Sequence, residues 1–333
     1  MSRTFALTIP QLPPALREAV TNAYLLCRIA DTIEDEAALN AAEKSRFHDE
    51  FVAVVEGAAP AGAFAGSLDP LLTGRTVPAE RELVRNTARI VRVTHSFADP
   101  QRSALQRCVA VMCRGMPGFA RKRSLAGLET LEELNRYCYC VAGVVGEMLT
   151  SLFCDHSPRI ARHRQRLMGL AVSFGQGLQM TNILKDIWDD RRSATCWLPR
   201  EIFNAAGFEL SGLDAARHDK AFAAGLKTLV GVAHGHLQNA LTYTLTIPRD
   251  ERGIRRFCLW AIGLAVLTLR GIHRRPDFTE AGQIKVSRRA LKATIVATNL
   301  TAGSNAGLRA LFALATAGLP AAAALEAPAG EAV

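Results

Sequence analysis

Four aspartates in this chain form two pairs, and the members of each pair are four residues apart. Asp31 and Asp35 are the first pair, and Asp186 and Asp190 are the second. On a helix this spacing places both carboxylates on one face, one turn apart. Such like charges repel by about 0.2–0.5 kcal/mol, and a cation between them removes the repulsion. Magnesium usually takes one or two carboxylates together with phosphate oxygens, so each pair predicts a magnesium and phosphate site.

The residues around the first pair extend this pattern. Arg28 lies one turn before Asp31 on the same helical face, and Glu34 flanks that face. A solvated acidic helix face would show the same spacing, so the first cluster by itself leaves both readings open.

The second cluster is longer, and together with the first it favours a metal and phosphate site over a solvated acidic face. Gln179, Asn182, Asp186 and Asp190 are three, four and four positions apart, which predicts one polar stripe along a helix. The neighbouring positions are apolar: Phe174, Leu178, Met180, Ile183, Leu184, Ile187 and Trp188. Two such helices facing each other across a cavity would hold several magnesium ions and one or two diphosphates. Nearby positive charge is available on Lys185, Arg191 and Arg192.

A third segment, residues 137–147, combines a tyrosine with an apolar strip. Helical geometry places Tyr137, Val141, Val144 and Met148 on one face. A hydroxyl above an apolar strip suits the wall of a hydrocarbon-binding tunnel. The two glycines of the segment cost helix stability, about 1 kcal/mol each relative to alanine, and fit a bend or a close approach. Ordinary helix packing with a buried tyrosine remains the alternative for this segment taken alone.

The elements that carry these residues are predicted to be helices, which gives an all-α fold class. We predict two helices within residues 14–56 with a break at Asn40, then a poorly structured loop at 57–80. A helix over 129–155 is predicted to begin near Glu129 or Thr130 and to end before Pro158. No strand alternation or fixed-period repeat is present. Further helical segments are predicted at 80–120, 160–191, 213–246, 251–273 and 287–317.

These segments predict one helical domain over residues 1–317 and a disordered Ala- and Pro-rich tail over 318–333. The longest apolar run considered, residues 257–269, has 13 residues against the ~20 that a membrane span needs. It predicts a core helix and no transmembrane segment. The apolar stretch 310–325 leaves peripheral contact with a membrane surface open.

Composition restricts the partners. The chain has 333 residues, 49% of them hydrophobic, and a net charge of +9. A basic balance fits an anionic partner, but the Lys and Arg residues form no single patch and match no nucleic-acid-binding module. None of the eight cysteines forms a C-x-x-C pair, and no signal peptide is recognised. These features predict reduced thiols in a cytoplasmic protein, taken to be a monomer, with no nucleic-acid partner.

Together the segments above resemble the squalene and phytoene synthase family. The resemblance extends from Ser2 to about residue 297. The string around Tyr137 is most similar to the thirty-carbon enzymes, the squalene and dehydrosqualene synthases. The resemblance rests on residues 2–5, 28–35, 137–146, 179–199, 256–258 and 284–286.

The resemblance implies an isoprenoid-synthase helical bundle around a central cavity, and it implies a role for each matching residue. Tyr137 falls on the catalytic tyrosine of the family. The residues implied in binding Mg²⁺ and diphosphate are Asp31, Glu34, Asp35, Asp186 and Asp190. The residues implied in contacts with diphosphate or with NADPH phosphate are Arg3, Arg28, Lys185, Lys285 and Arg288. The residues implied to line the substrate site are Ser2, Phe5, Val141, Gln179 and Asn182.

The chain departs from the family pattern at several positions. Lys185 replaces the usual arginine, which keeps the charge and loses the planar fork. Thr195 stands where the family has an arginine, and Ser287 stands where it has a second basic residue after Lys285, with Arg288 following one position later. Asp189 replaces a frequent glutamate. The shift at Ser287 bears on NADPH binding in particular.

The implied activity is head-to-head condensation of two farnesyl diphosphates through presqualene diphosphate to squalene, with Mg²⁺ and NADPH. Alternatives within the family are dehydrosqualene, phytoene or presqualene diphosphate as product. A terpene cyclase would also carry acidic clusters on helices. A non-catalytic lipid-binding helical protein would leave farnesyl diphosphate intact.

Overall fold

The computed structural model of the chain describes residues 4–215 and 219–322. These residues form helices joined by short turns and contain no β-strand, apart from an isolated bridge between Leu128 and Pro199. The predicted all-α fold class is therefore confirmed. The helices are α1 Thr4–Thr8, α2 Pro14–Asp35, α3 Ala41–Glu56, α4 Ala61–Leu68, α5 Pro78–Arg85, α6 Thr87–Ser96, α7 Asp99–Ala120, α8 Leu131–Cys138, α9 Val144–His156, α10 Pro158–Ala161, α11 Arg164–Lys185, α12 Ile187–Arg192, α13 Arg200–Ala205, α14 Lys220–Thr246, α15 Arg252–Arg274, α16 Arg288–Thr301 and α17 Asn305–Thr316.

The chain divides into two compact units. Unit 1 consists of the residues up to Lys122 together with Glu147–Ala161. Unit 2 consists of Arg123–Gly146 together with the residues from Arg162 onward. The first acidic motif therefore belongs to unit 1, whereas the second acidic motif and Tyr137 belong to unit 2.

Unit 1 is built on α2, α3 and α7, which pack against one another. The predicted break between the first two long helices is confirmed, because Asn40 caps α3 in a reciprocal capping box with Glu43. The loop predicted at 57–80 is wrong over Ala61–Leu68, which is helical. Phe64 of this helix stacks on Phe51 of α3 with ring centroids 5.3 Å apart, so tertiary packing stabilises a segment whose glycine content predicted a loop.

Unit 2 is built on α11, α14 and α15, and α11 makes its most extensive contact with α14. The single helix predicted over 160–191 bends at Asp186, which separates α11 from α12. The helix predicted over 287–317 is likewise two helices, because Ser304 caps a new start by accepting a hydrogen bond from Gly307 N.

Two helical stretches are long and apolar enough to cross a membrane, namely Leu131–His156 and Arg252–Arg274. The second stretch extends the 13-residue run at 257–269, from which no membrane span was expected, to a helix of 23 residues. In each stretch 56% of the apolar window is buried inside the structure, as in the core helix of a water-soluble fold, so the two stretches are weak evidence for a membrane. At the start of the predicted tail, the Pro320 carbonyl lies 2.9 Å from His234 Nδ1 of α14. Residues 323–333 lie outside the described residues.

Candidate active site

The first acidic motif occupies the last turns of α2. Arg28 forms ion pairs with Asp31, at 3.4 Å, and with Glu80 of α5. Burial by itself would lower the pKa of Arg28, but the carboxylates of Asp31 and Glu80 raise it, so this side chain stays cationic. The side chain of Asp31 is 17% exposed, and Asp35, one turn later, is exposed. The structure thus places Arg28 and Asp31 in contact, as their spacing predicts.

Glu34 has a different environment from the two aspartates. Its carboxylate Oε2 lies 3.6 Å from Nε2 of His48, a fully buried residue of α3. Lys44, one turn before His48, donates a hydrogen bond to the Glu34 carbonyl oxygen. The end of α2 is therefore held by two side chains of α3, and Glu34 packs towards α3.

Glu36, directly after α2, fixes the chain as it leaves the motif. Its buried carboxylate accepts hydrogen bonds from the backbone N–H groups of Ala38 and Thr73 and from the hydroxyls of Thr73 and Thr76. Burial would raise the pKa of this carboxyl, but these donors lower it to about 2. The turn after Asp35 is thereby tied to the segment that leads into α5.

The second motif continues from α11 into α12 through the bend at Asp186. Asp186 N donates to the Asn182 carbonyl at 2.9 Å, and Asp190 N donates to the Asp186 carbonyl at 2.9 Å. Backbone hydrogen bonds thus keep Asn182, Asp186 and Asp190 in helical succession despite the bend. Lys185 forms an ion pair with Asp186.

Asp190 shows that the carboxylates of this cluster repel one another. Burial and the negative charges of Asp186 and Asp189 raise the pKa of Asp190 to about 7, although Arg123 and Lys185 oppose the rise. A divalent cation would relieve this accumulation of negative charge. No preformed cage of three or more His, Cys, Asp or Glu side chains is present among the described residues. A small number of carboxylates without such a cage fits Mg²⁺, which usually binds to a few carboxylates together with substrate phosphates.

The basic residues that follow the motif are engaged in local contacts. Arg191 donates to the carbonyls of Leu210 and Ser211 at 3.1 and 3.4 Å, and Arg192 pairs with Asp189. Thr195 is buried and donates a hydrogen bond to the Ser193 carbonyl. Because threonine carries no charge, this position does not supply the positive charge of the family's arginine.

Tyr137 lies in the last turn of α8, just before a π-helical turn, Tyr139–Gly143. Such π-helical insertions are frequent at functional sites. This turn packs directly on α11: a Cβ on Gly175 would lie 2.2 Å from the Ala142 carbonyl oxygen. Gln176 of α11 also donates to the Asn135 carbonyl of α8 at 3.1 Å. The helix that carries the second motif therefore also positions the tyrosine.

Trp197 covers the ring of Tyr137. The two rings are nearly parallel, at 8°, with centroids 4.1 Å apart. The Arg123 guanidinium carbon lies 6.0 Å from the Trp197 ring centroid, and the same arginine lowers the pKa of Asp190. Trp197 thus stacks on Tyr137 and lies near Arg123, whose positive charge acts on Asp190.

The remaining predicted residues are placed as follows. Ser2 and Arg3 lie outside the described residues, and Phe5 is half-buried in α1. Val141 is half-buried in the π-helical turn. Gln179 and Asn182 are half-buried on α11. Lys285 and Arg288 are exposed at the start of α16, where Ser287 caps the helix.

Sequence reasoning missed several residues that contact the predicted site. Trp197 lies within the segment 179–199 that carries the family resemblance, so this aromatic residue was an available signal. The others come from distant segments and carry no periodic signal. They are Lys44, His48, Glu80 and Arg123.

Comparison with known proteins shows the family of the chain. Residues 1–290 match the family described as squalene/phytoene synthase. The chain belongs to this family. It is 30% identical over 292 residues to squalene synthase ERG9 of Candida albicans, covering 86% of this chain and 62% of the relative. The chain thus spans somewhat less than two thirds of the length of that relative.

Solved structures of the squalene/phytoene synthase family share the fold. A structure described as TcSQS with the ligand BPH1237 superposes with a TM-score of 0.73 at 24% identity, over 95% of this chain and 87% of the other. A dehydrosqualene synthase in complex with a ligand gives a TM-score of 0.63 at 22% identity, over 89% and 90%. At these identities the likeness concerns the fold, which is that of isoprenoid synthases.

Proposed function

We propose that this chain is a magnesium-dependent prenyltransferase that condenses two molecules of farnesyl diphosphate head to head, through presqualene diphosphate, to squalene. One observation carries the proposal. Tyr137, on a helix that packs against α11, stacks on Trp197. Arg123 lies 6.0 Å from the same indole ring, and its charge acts on Asp190 of the second acidic motif in unit 2. Membership of the squalene/phytoene synthase family supports the same reaction class.

The carboxylates and cations have distinct tasks in this proposal. The pair Asp31 and Asp35 would hold magnesium, as would the pair Asp186 and Asp190. Glu34 would support the first pair from its place against His48. When bound, Mg²⁺ neutralises the charge that develops on the departing diphosphate. Arg28 and Lys185 are already oriented by carboxylates and contact the diphosphate oxygens. Arg3 is proposed to add a further contact of this kind.

Tyr137 is the proposed acid–base residue. Its hydroxyl assists removal of the proton lost when the first carbon of the donor joins the double bond of the second farnesyl group. The apolar wall beside it, which includes Val141, keeps water from trapping the allylic cation as an alcohol. Gln179 and Asn182 are proposed to line the polar end of the substrate site. Ser2 and Phe5 are proposed to contact the substrate as well.

The reductive half-reaction is assigned to NADPH. Lys285 and Arg288 are two exposed cations at the N-terminus of α16, where backbone N–H groups also favour an anion. Their charge fits a nucleotide phosphate. NADPH would supply the hydride that quenches the final cation.

The test is incubation of the chain with farnesyl diphosphate and Mg²⁺, with and without NADPH, followed by mass spectrometry of the lipid products. We expect presqualene diphosphate without NADPH and squalene with it. Asp31→Asn, Asp186→Asn and Tyr137→Phe should each lower farnesyl diphosphate consumption by about 100-fold or more. Asp155→Asn, which changes an exposed carboxylate bonded to Gln101, is the matched control.

Other products would indicate a different reaction. Dehydrosqualene in the presence of NADPH would remove the reductive step, and a cyclic product from a single substrate molecule would indicate a terpene cyclase. Intact farnesyl diphosphate under every condition would refute an enzymatic role. Phytoene from geranylgeranyl diphosphate would change the chain length and would also remove the reductive step.

The cellular setting belongs to the same proposal. We infer that the chain works in the cytoplasm as a monomer and releases its apolar product at a membrane surface. Sedimentation with lipid vesicles, with and without farnesyl diphosphate, measures that contact.

A further inference from the structure

We infer that Trp197 is the positioning residue of Tyr137: its indole holds the phenol ring in the orientation that the reaction requires. The inference rests on the proposed catalytic role of Tyr137. It adds a residue that neither the motifs nor the family resemblance assigned a role.

The geometry of the pair restricts the tyrosine. At 4.1 Å between centroids and 8° between planes, the two rings are in van der Waals contact over their faces. A tilt of the phenol ring towards the indole would bring their atoms into overlap. The contact therefore limits the directions that the Tyr137 hydroxyl can take and excludes water from one face of the ring.

The indole itself sits on a rigid support. Its neighbours in the chain are held by backbone hydrogen bonds to the segment before α8: Cys196 N donates to the Ser124 carbonyl at 2.9 Å, and Leu128 N donates to the Leu198 carbonyl at 3.0 Å. Gly127 has a φ of +83°, and a Cβ there would lie 2.4 Å from the Leu198 oxygen, so the two segments approach closely. Trp197 is 8% exposed.

A packing role and a positioning role predict different kinetics. A residue that only fills space lowers stability and leaves the turnover of the folded enzyme unchanged. A residue that orients a catalytic hydroxyl lowers kcat with little change in KM, because displacement of a reacting group by about 1 Å costs up to ~100-fold in rate.

The experiment measures farnesyl diphosphate turnover in Trp197→Leu, Trp197→Phe and Trp260→Phe. Trp197→Leu removes the stacked face, and we expect kcat to fall about 30-fold with KM within about threefold of wild type. Trp197→Phe keeps a smaller aromatic face and should lose about fivefold in kcat. Trp260→Phe is the control, because Trp260 is equally buried on α15 and bonds to Asn299.

A double-mutant cycle with Tyr137→Phe decides how Trp197 acts. If Trp197 acts through Tyr137, then Trp197→Phe should change the residual rate of Tyr137→Phe by less than about twofold. An equal penalty in both backgrounds, or full kcat in the Trp197 variants, would overturn the inference. If Trp197→Leu does not fold, the cycle with Trp197→Phe still decides. Full activity of Tyr137→Phe alone would instead contradict the proposed function.

Discussion

Gly175 of α11 and Ala142 of the π-helical turn approach so closely that a Cβ atom on Gly175 would lie 2.2 Å from the Ala142 carbonyl oxygen. This contact sets the distance between the helix that leads to Asp186 and the segment that follows Tyr137. The two predicted parts of the site in unit 2 are thus positioned by a residue without a side chain.

Gly175→Ala is therefore expected to destabilise the protein by roughly 1–3 kcal/mol, because backbone must move to admit the methyl group. It should also lower kcat, since the shift displaces Tyr137. Gly169→Ala is the matched control on α11: no atom lies within 4 Å of its Cβ position, and a gain of about 0.5–1 kcal/mol is expected from helix propensity. Urea unfolding of both variants measures the difference, and equal stabilities would contradict the close packing.

Asp190→Asn is expected to stabilise the metal-free protein while abolishing turnover. Burial and the neighbouring Asp186 and Asp189 raise the pKa of Asp190 to about 7, so its ionised form opposes folding. The advantage of asparagine should be absent below pH 4, grow between pH 4 and 7, and reach at most about 4 kcal/mol above pH 7. Urea unfolding in EDTA across this range tests the sign. A loss of stability in the variant at pH 8 would show that the ionised Asp190 carboxylate does not destabilise the folded state.

Glu36 is expected to support unit 1 against acid. Its pKa is lowered to about 2 by four hydrogen-bond donors that outweigh burial. Its contribution is therefore complete above the unfolded pKa, near 4.5, and is lost as the pH falls towards 2. Glu36→Gln should destabilise the protein at pH 7 and flatten the pH dependence between pH 4.5 and 2. Glu56→Gln, an exposed change at the end of α3, should do neither.

His236 is expected to make unit 2 sensitive to mild acid. The ring is buried between α11 and α14, where Nδ1 lies 2.8 Å from Ser173 Oγ, and burial lowers its pKa to about 4. The unfolded chain takes up a proton near pH 6.5, so stability should fall by about 3 kcal/mol between pH 6.5 and 4. Thermal melts of His236→Asn should show a flatter slope over that window, with His163→Gln as the exposed control. An unchanged slope would indicate that the ring is already solvated.

Some parts of the candidate site and of the fold could be predicted from local sequence patterns, and others depend on tertiary packing. The helical spacing of Asp31 with Asp35, and of Asn182 with Asp186 and Asp190, is a local property that the sequence states directly. Tyr137 and its two neighbouring glycines were likewise recognisable, and the close approaches at Gly143 and Gly146 agree with the expected role of those glycines. The bend at Asp186 and the helix Ala61–Leu68 were missed because packing, and not propensity, decides them.

The sequence by itself determined the all-helical class, the family and the acidic pairs, because periodicity and motif spacing act within a few turns of one helix. Only the tertiary structure decided that Arg28 meets Glu80, that Glu34 packs towards His48 and that Trp197 lies on Tyr137. Each of these contacts joins segments separated by 14 to 60 positions in the chain. Their distances are set by helix packing and by backbone approach at glycines such as Gly127 and Gly175, which no local pattern encodes.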